Sequence, residues 1–453
     1  FSNTVMLLYH FVATLNMDGP LSTLEEVSKH FWFLKFLGDT LYFEKEDGNL
    51  KVKFRCWPFL IALIFCTLTM GYSGYATSSL LIYSGKSMNE VMETAHELNM
   101  GWTDVISING FIVLNVGYVI CCGILNAKLA KHMNNFNDDC IEVASKHGLQ
   151  LGLVESQNTK ENLKCTMKRL PIIFGYLIVS MVFLAGAFHE FLKGMILLLG
   201  LTQEMNITYL TIATIMWLPF LALTTMPMPG LAVEALTWIS IKYMTEAFHK
   251  FKNDFLGDGL QSVIKRLESV DYETRKEMAT QRCKLYLAYG EDLDKLTGTL
   301  CKHMATTIFL QYSICLLNGT LAGYQFLGLF LRLKRLDLLA ALMFGSFTFM
   351  FAFYFVRLFF TTKDSQELNE AMKSTGEEIE DLIIDCPFTN EMFEDQIEYK
   401  IKRIIKSIKE HTCMSPMGLF CINNAAFLTI LSTIMTYIIV LMQIKTTELP
   451  LTA

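Results

Sequence analysis

Residues 416–444 read PMGLFCINNAAFLTILSTIMTYIIVLMQI, a stretch long enough to cross a bilayer at about 1.5 Å rise per residue. It closes on Thr436-Tyr437, the five apolar residues Ile438, Ile439, Val440, Leu441 and Met442, and then Gln443. An amide after an unbroken apolar run needs a reason: it marks the membrane boundary, or it faces an aqueous path or a symmetry axis. Composition agrees with a membrane chain. Hydrophobic residues make up 52% and charged residues 18%, and the mean hydropathy is +0.35. A net charge of −6 leaves no basic footprint for nucleic acid.

Six further apolar stretches precede the last. They run over 57–82, 105–129, 171–199, 207–239, 303–331 and 338–360, so the chain is expected to be an all-α membrane protein with seven transmembrane helices. Pro219, Pro227 and Pro229 predict kinks in the fourth. Lys and Arg are divided 31 to 6 between the two sets of connections, with Arg357 inside the sixth span. This bias puts the N-terminus in the cytoplasm and the C-terminus outside. The chain begins with Phe1, which suggests that a natural N-terminus precedes it, and its first apolar stretch lacks the basic flank of a signal peptide. None of the 12 cysteines falls in an assigned outer loop, so no extracellular disulfide framework is expected.

The expected domains follow from these spans. Residues 1–56 form a cytoplasmic segment, with an amphipathic helix over 21–43 and a hairpin around Asp47-Gly48. Residues 57–240 hold spans one to four and 303–361 spans five and six. Residues 241–302 and 362–415 read as helices that continue the spans inward, 416–444 as the last span, and 445–453 as an outer tail. Within 390–411, Phe393, Ile397, Ile401, Ile404, Ile405 and Ile408 share one helical face, with charge opposite. Such a stripe packs against the chain's own helices or around a subunit axis.

No enzyme motif is present: HExxH, GxxxxGK[ST], GxSxG and GxGxxG are all missing. Cys121-Cys122 reads as packing and not as a metal site, and no cofactor is expected. Polar residues in the outer halves of the spans carry more information. Asn115, Trp217, Asn318, Tyr324 and Gln325, with Tyr312 below them, serve either as interhelical hydrogen-bonding groups or as the lining of a small-molecule pocket. Arg357 is expected to snorkel to the cytoplasmic interface. Rhodopsin-like receptors also have seven spans, but their N-terminus lies outside, and the third span here ends without Asp-Arg-Tyr.

Thr436-Tyr437, five apolar residues and Gln443, placed in the last of seven spans, resemble the C-terminal signature of the arthropod gustatory receptors. FWFLKFLG before the first span also resembles that family's pattern. Its members are ligand-gated cation channels related to the insect odorant receptors. The resemblance implies a plasma-membrane homotetramer, or a heteromer with related subunits, whose seventh spans line a central pore. The inward helices would form an anchor, and a small-molecule tastant would bind in the outer half of spans two to six. Thr436, Tyr437 and Gln443 match the motif, and Ile444 stands where the family usually has Phe. Ile438 replaces the Glu common in sugar-tuned members. The expected partners are thus a tastant, permeant cations and membrane lipid. An odorant-receptor-type subunit needing a co-receptor, or a non-channel transporter, is the alternative.

Overall fold

The structure, a computed structural model, describes residues 43–46, 49–52, 110, 113–114, 117–118, 121, 128, 131–147, 165–166, 168–198, 228–253, 271–332, 338–385, 395–410 and 414–448. The expected first span, most of the second and the outer part of the fourth lie outside these residues, as do the helix over 21–43, Asn115 and Trp217.

Strands β1 (Phe43–Glu46) and β2 (Asn49–Val52) pair antiparallel, with Glu46 opposite Asn49. That register leaves two residues, Asp47 and Gly48, to connect them, as the hairpin signal predicts. The other described elements are helices: α1 (131–147), α2 (Arg169–Leu198), α3 (Met228–Asn253), α4 (Tyr272–Arg332), α5 (Leu338–Asp385), α6 (Asp395–Glu410) and α7 (Asn424–Glu448). Four described segments are long and apolar enough to cross a membrane: Arg169–Ala187, Lys284–Gly328, Ala340–Asp381 and Asn424–Ile444. They coincide with the expected third, fifth, sixth and seventh spans.

Helix α4 has 61 residues and α5 has 48. At about 1.5 Å per residue they reach roughly 90 and 70 Å, far beyond a hydrocarbon core of about 30 Å. Both therefore continue well past any membrane. Helix α3 opens at Met228-Pro229, where a proline lacking its N–H costs no helical hydrogen bond. The last span is shorter than expected. A 3₁₀ turn, Pro416–Gly418, and an irregular stretch precede a helix that starts only at Asn424. Asn423 caps it, its Oδ1 accepting from the Ala426 N–H at 2.8 Å.

Helix α5 is the hub, packing against α2, α3, α4, α6 and α7. The described part of the α6 stripe is buried inside the chain: Ile404, Ile405 and Ile408 lie where α6 meets α4 and α5. Gly290 of α4 faces the Phe251 ring of α3: a Cβ there would sit 3.0 Å from that ring and 3.7 Å from Ile404. Ser407 donates to Asp294 at 2.7 Å beside it. On α1, burial and then the neighbouring Asp139 carboxylate push the Cys140 thiol up, so it packs as a neutral group.

Candidate pore span and the buried polar ladder

Helix α7 presents three kinds of face. Ile434 and Ile438 are buried against Tyr324 of α4, and Gly319 and Gly323 of α4 lie beneath them. Toward the N-terminal end of α7, Phe427 packs edge-on against Phe355 and Phe359 of α5. At about 100° per residue, the direction opposite this packed face carries Thr429, Ser432, Thr433, Thr436, Val440, Gln443 and Thr447. All of these are exposed except Thr433, which is half-buried. The hydroxyls of Thr429, Thr433, Thr436 and Thr447 each donate to the carbonyl four residues back, at 2.8–2.9 Å. Their donor capacity is used within the helix, and their oxygens keep acceptor capacity on the outside. Exposed apolar residues flank this stripe: Leu428, Met435 and Ile439 on one side, Tyr437 and Ile444 on the other.

Sequence reasoning found Thr436 and Gln443 of this stripe and missed Thr429, Ser432, Thr433 and Thr447. The signal was available, since hydroxyl residues recur every three or four positions through an apolar run. Tyr437, one position from Thr436, points about 100° away and lies on the flank.

A ladder of polar contacts runs along α5 from Ser346 to Glu378. Ser180 of α2 donates to the Ser346 carbonyl at 2.9 Å. Thr361 Oγ1 accepts from Trp238 Nε1 at 2.9 Å and from Gln311 Nε2 at 2.6 Å. Arg169 Nη1 reaches both oxygens of Asp364 at 2.7 Å, with its guanidinium over the Phe360 ring. Lys242 and Lys252 of α3 pair with Glu367 and Glu378 at 2.9 and 2.6 Å.

Arg357 and Glu234 form the most enclosed rung, each with a side chain only 1% exposed. Arg357 Nε and Nη2 both donate to the Glu234 carboxylate, and the guanidinium stacks over Phe353 and Tyr354. This corrects the expectation that Arg357 snorkels. Snorkelling needs a helix end at the interface, whereas α5 continues to Asp385 and α3 supplies a carboxylate beside it. Glu234 was legible: a lone carboxylate in an apolar span demands a partner.

The expected pocket residues on α4 are placed as follows. Tyr312 shares a hydrogen bond with the Thr362 hydroxyl at 2.7 Å, and Asn318 donates to the Tyr354 hydroxyl at 3.0 Å, so both link α4 to α5. Tyr324 is fully buried against α7, and Gln325 is half-buried. Asn318 and Gln325, seven residues apart, share a helical face; Tyr312 and Tyr324 point elsewhere. A narrow apolar crevice lies between α4, α5 and α7, lined by Gly319, Phe351, Tyr354, Phe427 and Ile434 among others.

The fold these helices build is that of an insect olfactory receptor. The structure of olfactory receptor OR5 from Machilis hrabei in complex with eugenol superposes with a TM-score of 0.56, at 13% identity, over 93% of this chain and 97% of that one. A second structure of the same receptor matches with a TM-score of 0.53 at 12% identity, over 91% and 98%. No family model and no curated relative matches the sequence.

Proposed function

We propose that this chain is a chemosensory receptor of gustatory type: a non-selective cation channel of the plasma membrane, opened by a small-molecule tastant. Four copies surround a central pore lined by α7, with the N-terminus in the cytoplasm and the inward parts of α3 to α6 forming the anchor. The observation that carries this reading is the hydroxyl-and-amide stripe of α7, exposed on the face turned away from its own bundle. A water-filled path across lipid needs such a line of oxygens, and a helix facing only acyl chains does not. Gln443 sits near the outer end of the stripe with Ile444 beside it, where a ring of Ile closes the pore by dewetting. The ligand binds in the outer half of spans two to six, beside the face of α4 that carries Asn318 and Gln325, with Asn115 and Trp217 contributed by spans two and four.

Whole-cell recording from cells expressing only this chain, perfused with sugars, bitter alkaloids and amino acids, tests the proposal. We expect a ligand-evoked cation current whose unitary conductance or ion preference changes in Gln443→Ala and Ile444→Ala. If both variants kept conductance, leak and ion preference, α7 would not line the pore.

The likeness in fold to an olfactory receptor solved with eugenol favours a second reading, an odorant-receptor-type subunit that conducts only beside a co-receptor. Current that appears with eugenol or another odorant, and only on co-expression of a related subunit, would select it.

A further inference from the structure

The connection into α7 is tied to α5 by two side-chain amides. Asn369 Nδ2 donates to the Ile422 carbonyl at 3.3 Å, and Gln366 Oε1 accepts the Asn424 N–H, the first of the helix, at 3.1 Å. The connection is itself a closed elbow, in which the Ile422 N–H returns to the Met414 carbonyl at 3.0 Å. At its bend, Met417 and Gly418 have φ of 52° and 75°, two successive left-handed residues. A methionine holds that conformation only where its surroundings impose it. The Phe420 ring lies 5.9 Å from Tyr312 of α4, and Ile422 is fully buried, so the elbow is seated on both long helices.

Past the elbow, 11% of the apolar window of α7 is buried, against 33–44% in the other described spans, and beside its seat on α4 at Gly323 and Ile438 the elbow is what fixes how it leaves α5. Gln366 and Asn369 stand on the helix that also carries the Arg357–Glu234 pair and the Tyr354 bond to Asn318.

We infer that Gln366 and Asn369 are positioning residues for the last span, transmitting displacement of α5 to α7 through the elbow. The coupling to opening rests on the channel reading; the positioning itself does not. Their amides hold the backbone of the elbow, with Gln366 Nε2 also bonded to Glu370, and neither lies on the proposed pore face, so they alter how readily the pore opens and leave its conductance alone.

The experiment uses the full chain purified in nanodiscs, comparing wild type with Gln366→Met, Asn369→Leu and Gln366→Glu. Amide hydrogen exchange over residues 420–428 is read beside single-channel records in symmetrical potassium without added ligand. In the first two variants we expect exchange faster by about two- to tenfold, the factor one net hydrogen bond corresponds to. Open dwell times should change by a similar factor at constant unitary conductance. Gln366→Glu, which keeps the acceptor for the Asn424 N–H while giving up the Nε2 bond to Glu370 at 2.6 Å, should lie closer to wild type in both than Gln366→Met does. Unchanged exchange would overturn the inference, and so would faster exchange with unaltered dwell times. In a wild type that stays closed without ligand, exchange alone decides whether these amides position α7.

Discussion

At the scale of single residues, Arg357 and Glu234 show where charge is tolerated in this chain. Moving either ion out of water costs several kcal/mol, and the pair repays this only because the geometry is close and two aromatic rings cover the guanidinium. Removing one partner therefore does more damage than removing both. Arg357→Met, which leaves Glu234 enclosed without its cation, is expected to destabilise the chain by about 3–5 kcal/mol. Arg357→Met combined with Glu234→Met should recover most of that loss. Thermal unfolding of the purified full-length chain ranks the three proteins. A single variant as stable as wild type, or a double variant weaker than the single, would contradict this account. Pairing was only half readable in the sequence. Each charge was visible inside an apolar span, but which spans are neighbours is a matter of packing, and periodicity within one helix does not reveal it.

At the scale of elements, the helical character of the polar segments that extend α4 and α5, and the shared face of Ile404, Ile405 and Ile408 in α6, were legible because helical periodicity and charge density are local properties. Where α7 starts was not. Residues 416–423 are as apolar as the helix after them, and what ends the run of helix is a left-handed bend at Met417-Gly418 together with an Asn423 cap. How α7 seats on α4 was also hidden, because it depends on a missing side chain. A Cβ on Gly323 would come within 2.4 Å of Ile438 Cδ1 and 3.3 Å of the Phe351 ring, so this glycine is where the two helices close on each other. Two effects oppose each other in Gly323→Leu. Helix propensity gains under about 1 kcal/mol, while overpacking costs about 1–3 kcal/mol and forces Ile438 aside. The overpacking wins. We expect a lower melting temperature for Gly323→Leu, with Gly323→Ala between it and wild type, since the tip of Ile438 swings away from a methyl group. Equal melting for all three would mean that α7 is not seated on α4 through this glycine.

At the scale of the whole molecule, the question is what covers α7. From Thr429 to Thr447 the exposed stripe is about 27 Å long, comparable to the thickness of the hydrocarbon core. The threonine hydroxyls alone would not decide the matter, because each is satisfied by its own helix and tolerates lipid. Gln443 within this line and its flanks, exposed Leu428, Met435 and Ile439 on one side and Tyr437 on the other, further support the proposed channel reading. A cyclic assembly places the stripe on the axis and gives those flanks neighbouring copies to pack against. No single chain can do both. Four copies of a 51.7 kDa chain should give a particle of about 207 kDa after the detergent contribution is removed, readable by native mass spectrometry. Charge introduced at the axis should break it without unfolding the protomer: Thr436→Glu in each copy brings like charges together in a narrow ring, and the monomer fraction should rise. A wild-type chain that stays monomeric at micromolar concentration, or a Thr436→Glu variant that assembles as wild type does, would take the stripe off the axis and the central pore with it.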